Sequence, residues 1–177
     1  MTTTEVTQTL PTGTWKLDPV HSSISFEVDY MVGAFRGGFG EVEARLEDGR
    51  LTGSARVDSI DVKDENLAAH LQTPDFFDAA QHPELRFEST EITRGGNELA
   101  VHGKLTLKGV TRPVVLNGTI ADPITDAYGN ERIGLTVQTE VDRTEFGIDW
   151  NMPLPSGDPA LANEVRLFAD LYLVEEA

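Results

Sequence analysis

From Trp15 onward the chain alternates apolar and polar residues with a period of two, through nearly every segment. That period puts each second side chain on one face of a β-strand, so it demands a sheet with one buried face. Ile24, Phe26, Val28 and Tyr30 share one face, and Ser23, Ser25, Glu27 and Asp29 share the other. Val42, Ala44 and Leu46 repeat the pattern, followed by Leu51, Ala55 and Val57. The second half continues it with Leu85 and Phe87; Leu99, Val101, Leu105 and Leu107, with Gly103 on the same face; and Val114, Leu116 and Ile120 around Gly118. Ile133, Leu135, Val137 and Val141 follow. Val165, Leu167, Ala169, Leu171 and Leu173 form the last run, with Phe168, Tyr172 and Val174 on its other face.

The breaks between runs carry turn residues. Asp48-Gly49 and Lys108-Gly109 suit tight hairpins that need positive φ, and Gly95-Gly96-Asn97 and Tyr128-Gly129-Asn130 play the same part. Short connections of this kind predict an antiparallel meander. One segment departs from the pattern. Asp64 to Gln72 places Leu67 and Leu71 four apart, with Asp64 and Glu65 at the start and Pro74 beyond the end, which predicts a short helix. A second turn follows around Asp75 to Ala79. Leu154 to Asn163, with two prolines and a glycine, reads as an exposed loop, and Gly37-Gly38-Phe39-Gly40 as a bend or bulge in a curved strand.

A chain of 177 residues is one domain. Eight or so one-faced strands in it favour a closed antiparallel barrel over a sandwich, because closure removes the edges. Strands of about ten residues, tilted near 40°, enclose a pore longer than it is wide. That shape suits a chain-like apolar ligand. Residues 1–12 are Thr-rich and aperiodic and read as a flexible tail, leaving 13–177 for the barrel.

Charge and composition exclude several functions. The net charge of −16 opposes nucleic acid and anionic membrane surfaces. With no cysteine, thiol catalysis, disulfides and thiolate metal sites are out. The first residues lack a basic and an apolar signal region, and no stretch reaches the length of a membrane span, so a cytoplasmic protein without stable membrane insertion is expected.

Catalytic chemistry has no nucleus here. His21, His70, His82 and His102 are scattered without metal-ligand spacing and read as structural. Ser22 and Ser23 adjoin His21, but strand neighbours face opposite ways and form no relay. Neither a catalytic residue nor a metal ligand is therefore assigned. Asn117-Gly118-Thr119 matches a glycosylation pattern that arises often by chance. Phe26, Tyr30, Phe76, Phe77, Phe87, Phe146 and Trp150 either fill a core or line a pore. A helix over one barrel end would bring Leu67, Leu71, Phe76 and Phe77 to its mouth. Arg36, Arg112, Arg132 and Arg143 are the candidates for a polar head group, and Arg143 is expected to pair with Asp142 or Glu145.

Several motifs, in order, carry a resemblance. Trp15-Lys16-Leu17-Asp18-Pro19-Val20-His21-Ser22 precedes Phe26 and Val28; His70 to Asp78 reads HLQTPDFFD, with His82-Pro83 and Phe87 after it; then come Gly103 to Thr111, GKLTLKGVT, and Asp142 to Ile148, DRTEFGI. Over about residues 13 to 174 the chain resembles the YceI-like family. The resemblance implies an all-β, eight-stranded, extended lipocalin-like barrel with a helical insertion near 64–79. It also implies a polyisoprenoid lipid in the pore, such as a polyprenyl chain or an isoprenoid quinone. Tyr30 stands where the family commonly has His, and Leu67 where it commonly has Arg, so polar contacts by those groups are not carried over. The expected pore lining is Phe26, Val28, Tyr30, Leu67, Leu71, Phe76, Phe77, Phe87, Phe146 and Trp150. The expected function is non-catalytic carriage or sequestration of the lipid, with no cofactor besides that ligand and with a homodimer plausible. The alternatives are an enzyme acting on a lipid-like substrate in the same pore, and a filled barrel that works through protein contacts.

Overall fold

A computed structural model describes residues 10–176. Its elements are β1 (Thr14–Leu17), β2 (Ser23–Tyr30), β3 (Gly33–Phe39), β4 (Val42–Glu47), β5 (Arg50–Arg56), β6 (Ile60–Asp61), α1 (Glu65–Leu71), β7 (Glu84–Gly95), β8 (Glu98–Leu107), β9 (Val110–Thr125), β10 (Glu131–Asp142) and β11 (Leu161–Glu175). The ladder runs β1-β4-β5-β7-β8-β9-β10-β11 and closes by pairing β11 with β1, every pair antiparallel. Eight strands thus form the expected barrel with a short helix inserted. β2, β3 and β6 prolong three of the staves at one end: β11 pairs with β1 through Leu173 to Glu175 and with β2 through Leu161 to Asp170. β3 pairs with β2 on one side and β6 on the other.

Local chemistry sets the connections. Asp48 and Gly49 have φ of 50° and 76°, and Lys108 and Gly109 have 51° and 76°. Both pairs thus hold the left-handed conformations that a two-residue hairpin requires. Asp64 caps α1, its carboxylate accepting from the backbone N–H groups of Asn66 and Leu67. The capping satisfies two donors that the helix start would otherwise leave open. Lys108 Nζ, at the β8–β9 turn, donates to the carbonyls of Pro74 and Gly147 and so ties the insertion to the barrel rim.

Two apolar clusters divide the interior. The end at β1, narrow in that side chains fill it, packs Trp15, Leu46, Leu99, Ile120, Ile133, Leu135 and Leu173 into a plug. The other end groups Phe26, Val28, Phe39, Leu71, Phe76, Phe146, Ile148 and Leu161 beneath α1 and the insertion.

Some local expectations shift. Gly37 and Gly38 pair in register with Phe26 and Ser25, and the bend falls at Gly40–Glu41 between β3 and β4. The loop from Leu154 ends sooner than expected, because Leu161 to Asn163 already belong to β11. Of the N-terminal tail, residues 1–9 lie outside the described residues. Leu10 packs partly buried on the narrow-end cluster, and the Thr12 carbonyl accepts from the Trp15 indole at 3.0 Å.

Candidate functional site

Between the plug and α1 lies a cavity of about 500 Å³, lined almost wholly by carbon. This volume is in the usual range for small-molecule sites. The inner face of β2 supplies Ile24, Phe26, Val28 and Tyr30, and that of β11 supplies Leu161, Val165, Leu167, Ala169 and Leu171. Opposite them stand Leu85 and Phe87 of β7, Leu105 and Leu107 of β8, and Val114 and Leu116 of β9. Ala44, Leu51, Val137 and Leu171 belong to both the plug and the lining, so they form the floor. From Leu161 to Leu171 the wall runs ten residues, or roughly 33 Å along the strand and about 25 Å along the barrel axis.

The structure brings Phe26, Val28, Tyr30, Leu67, Leu71, Phe76, Phe77, Phe87 and Trp150 to this cavity. Phe146 is not among its walls. It is 1% exposed and packs in the core of the wide end, because it closes the 3-10 turn Arg143–Phe146, whose Gly147 cap reverses the chain at φ 76°. Phe35 and Phe39 of β3 also line the cavity, and alternation nearly revealed them. Phe35, Gly37 and Phe39 share a face, but glycine at the middle position hides the pattern. The gap at Gly37 holds the Phe26 ring, since a Cβ there would lie 2.6 Å from its Cζ. Gly103 likewise makes room for Phe87, whose Cζ would be 2.5 Å from an added Cβ. Phe77 joins the insertion to the barrel wall through edge contacts with Phe26 and Phe39, at centroid distances of 6.2 and 5.9 Å.

Few polar groups reach the lining. His70 packs edge-on against Phe76 and Trp150, at 5.0 and 4.9 Å, while its Nε2 meets Asp75 Oδ2 at 3.1 Å. It acts as a post for the two rings, in keeping with a structural role. His21 similarly meets Asp18 at 2.7 Å, and His82 packs against Gly109.

The four arginines separate sharply. Arg36 pairs with Glu27 on the outer face, Arg112 donates to the Glu145 carbonyl, and Arg132 joins Asp18 and Asp126 at the narrow end. Only Arg143 of these lines the cavity. Its expected pairing with Asp142 or Glu145 is not what forms. Asp142 accepts from Thr144 instead, and Arg143 donates through Nε to Ala162 and through Nη1 to the carbonyls of Ile148 and Trp150, each at 2.8 Å. Burial lowers its pKa from the ordinary value, while Asp142 and Asp149 oppose that shift from a distance.

Exposed apolar side chains border the mouth. Met152 is 48% exposed at the lining, and Met31 and Val32 form the tip of the β2–β3 hairpin. Ala160 ties them together, accepting from Met31 N–H and donating to the Met152 carbonyl.

Comparison with known proteins agrees on the architecture. The model of the YceI-like domain matches residues 15–173. A UPF0312 protein of Shewanella denitrificans is 32% identical over 152 residues, covering 81% of this chain and 77% of the relative. One from Vibrio campbellii is 31% identical over 137 residues, 72% of each chain. Among solved structures, Burkholderia cenocepacia BcnA superposes with a TM-score of 0.72 at 22% identity, covering 88% of this chain and 98% of its own. A polyisoprenoid binding domain from Saccharophagus degradans, implicated in plant cell wall breakdown, gives 0.69 at 12% identity, covering 92% and 98%.

Proposed function

Since the chain belongs to the YceI-like family, we propose that it binds a long-chain isoprenoid lipid in the barrel cavity and carries or sequesters it without chemical change. The observation that carries this reading is the shape of the interior: a deep apolar cavity with a packed floor, covered at the other end by α1 and the insertion. The structural likeness to a domain described as polyisoprenoid binding supports it.

Burial of one CH₂ contributes about 0.8 kcal/mol, so an isoprene unit contributes roughly 3 kcal/mol before ordering costs. A few units suffice for micromolar affinity, near −8 kcal/mol. The net charge favours a neutral head group, such as a quinone, over a diphosphate. A diphosphate meets a protein of net charge −16 whose Arg36 and Arg132 are already neutralised by carboxylates.

The test is solvent extraction of the purified protein with mass spectrometry of the released lipid, beside native mass spectrometry of the intact protein. A stoichiometric isoprenoid is expected. Protein that is empty as isolated and takes up neither added quinones nor polyprenols overturns the reading.

A further inference from the structure

Arg143 holds a donor that the fold does not use. The side chain is 4% exposed, and its Nε and Nη1 are committed to three main-chain carbonyls. Its Nη2 is buried and has no hydrogen-bond partner among the described residues. No carboxylate forms an ion pair with it among those residues, since the nearest in sequence, Asp142, is engaged by Thr144. A buried charged donor without an acceptor is costly, and folded proteins rarely leave one unexplained. Here the same residue lines an apolar cavity whose other walls offer almost nothing polar.

We propose that Arg143 is the polar anchor of the cavity, donating from Nη2 to an oxygen acceptor at the head of the bound chain. A carbonyl, a carboxylate and a phosphoryl oxygen share this chemistry. The three carbonyl contacts hold the guanidinium rigid, while Nη2 itself is closed off by its neighbours, so an acceptor reaches it only as the entering chain displaces the side chains around it. Arg143 follows directly on β10 and bonds to the carbonyls of Trp150 and Ala162, whereas the floor lies at Ala44 and Leu171. The anchor therefore sets a direction: head at the helix-covered mouth, tail toward the plug. It also selects, because a hydrocarbon of the same length leaves the donor unpaired.

The inference rests on the lipid-binding reading above, and one experiment separates the two. The full chain, stripped of lipid, is titrated with tetraprenyl probes of equal length ending in a ketone, a carboxylate or a methyl group. Both oxygenated probes are expected to bind about tenfold or more tighter than the hydrocarbon. An excess for the carboxylate that falls with salt identifies an anionic head, and equal affinity for the two identifies a neutral one. In Arg143→Met and Arg143→Lys the advantage of the ketone over the hydrocarbon is expected to shrink severalfold. As those variants also lose main-chain contacts, the unaltered protein supplies a second readout. Its Arg143 guanidinium NMR resonances shift with the oxygenated probes and not with the hydrocarbon. Equal affinity for all three probes, or an oxygen preference that survives in the variants, overturns the anchor while leaving lipid binding intact. Failure of every probe to bind overturns both.

Discussion

Replacing Ala169 by Phe tests directly whether the interior is open. Ala169 stands on the inner face of β11, in register with Val137 and Ile24, and lines the cavity with both. Adding a large side chain to a filled core costs about 1–3 kcal/mol through forced rotamers and backbone shifts. Adding it to empty apolar space has the opposite sign. The new ring leaves water on folding, a gain of up to about 2 kcal/mol. Stability of the lipid-free variant is therefore expected to hold or rise. Binding moves the other way. Ala169 sits two residues above the floor residue Leu171, roughly 5 Å along the axis, which is about the space of one isoprene unit. Excluding that unit removes about 3 kcal/mol, or about a hundredfold in Kd, for a chain that fills the cavity. A chain shorter by one unit keeps its affinity. Urea denaturation at constant m-value reads the first effect, and tryptophan fluorescence titration with a prenyl series reads the second. A loss of 1 kcal/mol or more in stability, or undiminished affinity for the longest chain, refutes the open-cavity argument.

Three further outcomes follow from named contacts. The Asp18 carboxyl is held at about 2, below its ordinary 3.8, by hydrogen bonds from His21, from Arg132 and from the Val20 N–H. A pKa depressed on folding stabilises the protein above the unfolded value, and the contribution is lost as pH falls from about 3.8 toward about 2. Asp18→Asn should therefore lower the urea midpoint at neutral pH and flatten its decline in acid. Leu46→Ala, at a fully buried position in the plug, should cost about 2–5 kcal/mol in the same assay. Asp64→Ala removes the cap of α1, worth about 1 kcal/mol. It should appear as faster amide exchange across Glu65 to Leu71, with little change in the global midpoint.

The barrel could be read from the chain because alternation and turn chemistry are local and agree with each other. Each run from Ile24 to Leu173 declares its inner face, and Asp48-Gly49 and Lys108-Gly109 declare how runs connect. Register is less local. At the irregularity between Ser89 and Glu91 the inward set of β7 passes from Leu85 and Phe87 to Ile92 and Arg94. A slip of one residue inverts the faces, and nothing in the alternation marks where it falls. The partners of Arg143 escaped for a related reason. Charges adjacent in sequence suggested a pair, but Asp142 is the cap of the following turn and accepts from Thr144. Arg143 and Phe146, three apart on a 3-10 turn, eclipse and are buried together.

The open volume itself follows from where the small residues stand. Alternation reports which side chains face inward, and says nothing of whether they meet across the axis. At the narrow end Leu46, Leu99, Ile120, Leu135 and Leu173 all face inward and pack into one cluster, so the barrel is solid there. In the middle, Gly37 and Gly103 let Phe26 and Phe87 lie over their backbones, flat against the wall. Gly53 and Ala169 line the same stretch, and Ala44 the floor beneath it, with little side chain at all. Large rings are thus drawn aside over glycines, and small residues hold the positions between them. A Cβ at Gly37 would push Phe26 off the wall toward the axis, and one at Gly103 would meet the Glu88 carbonyl at 2.4 Å as well as the Phe87 ring, so the residues that look least informative in the sequence are the ones that keep the cavity open.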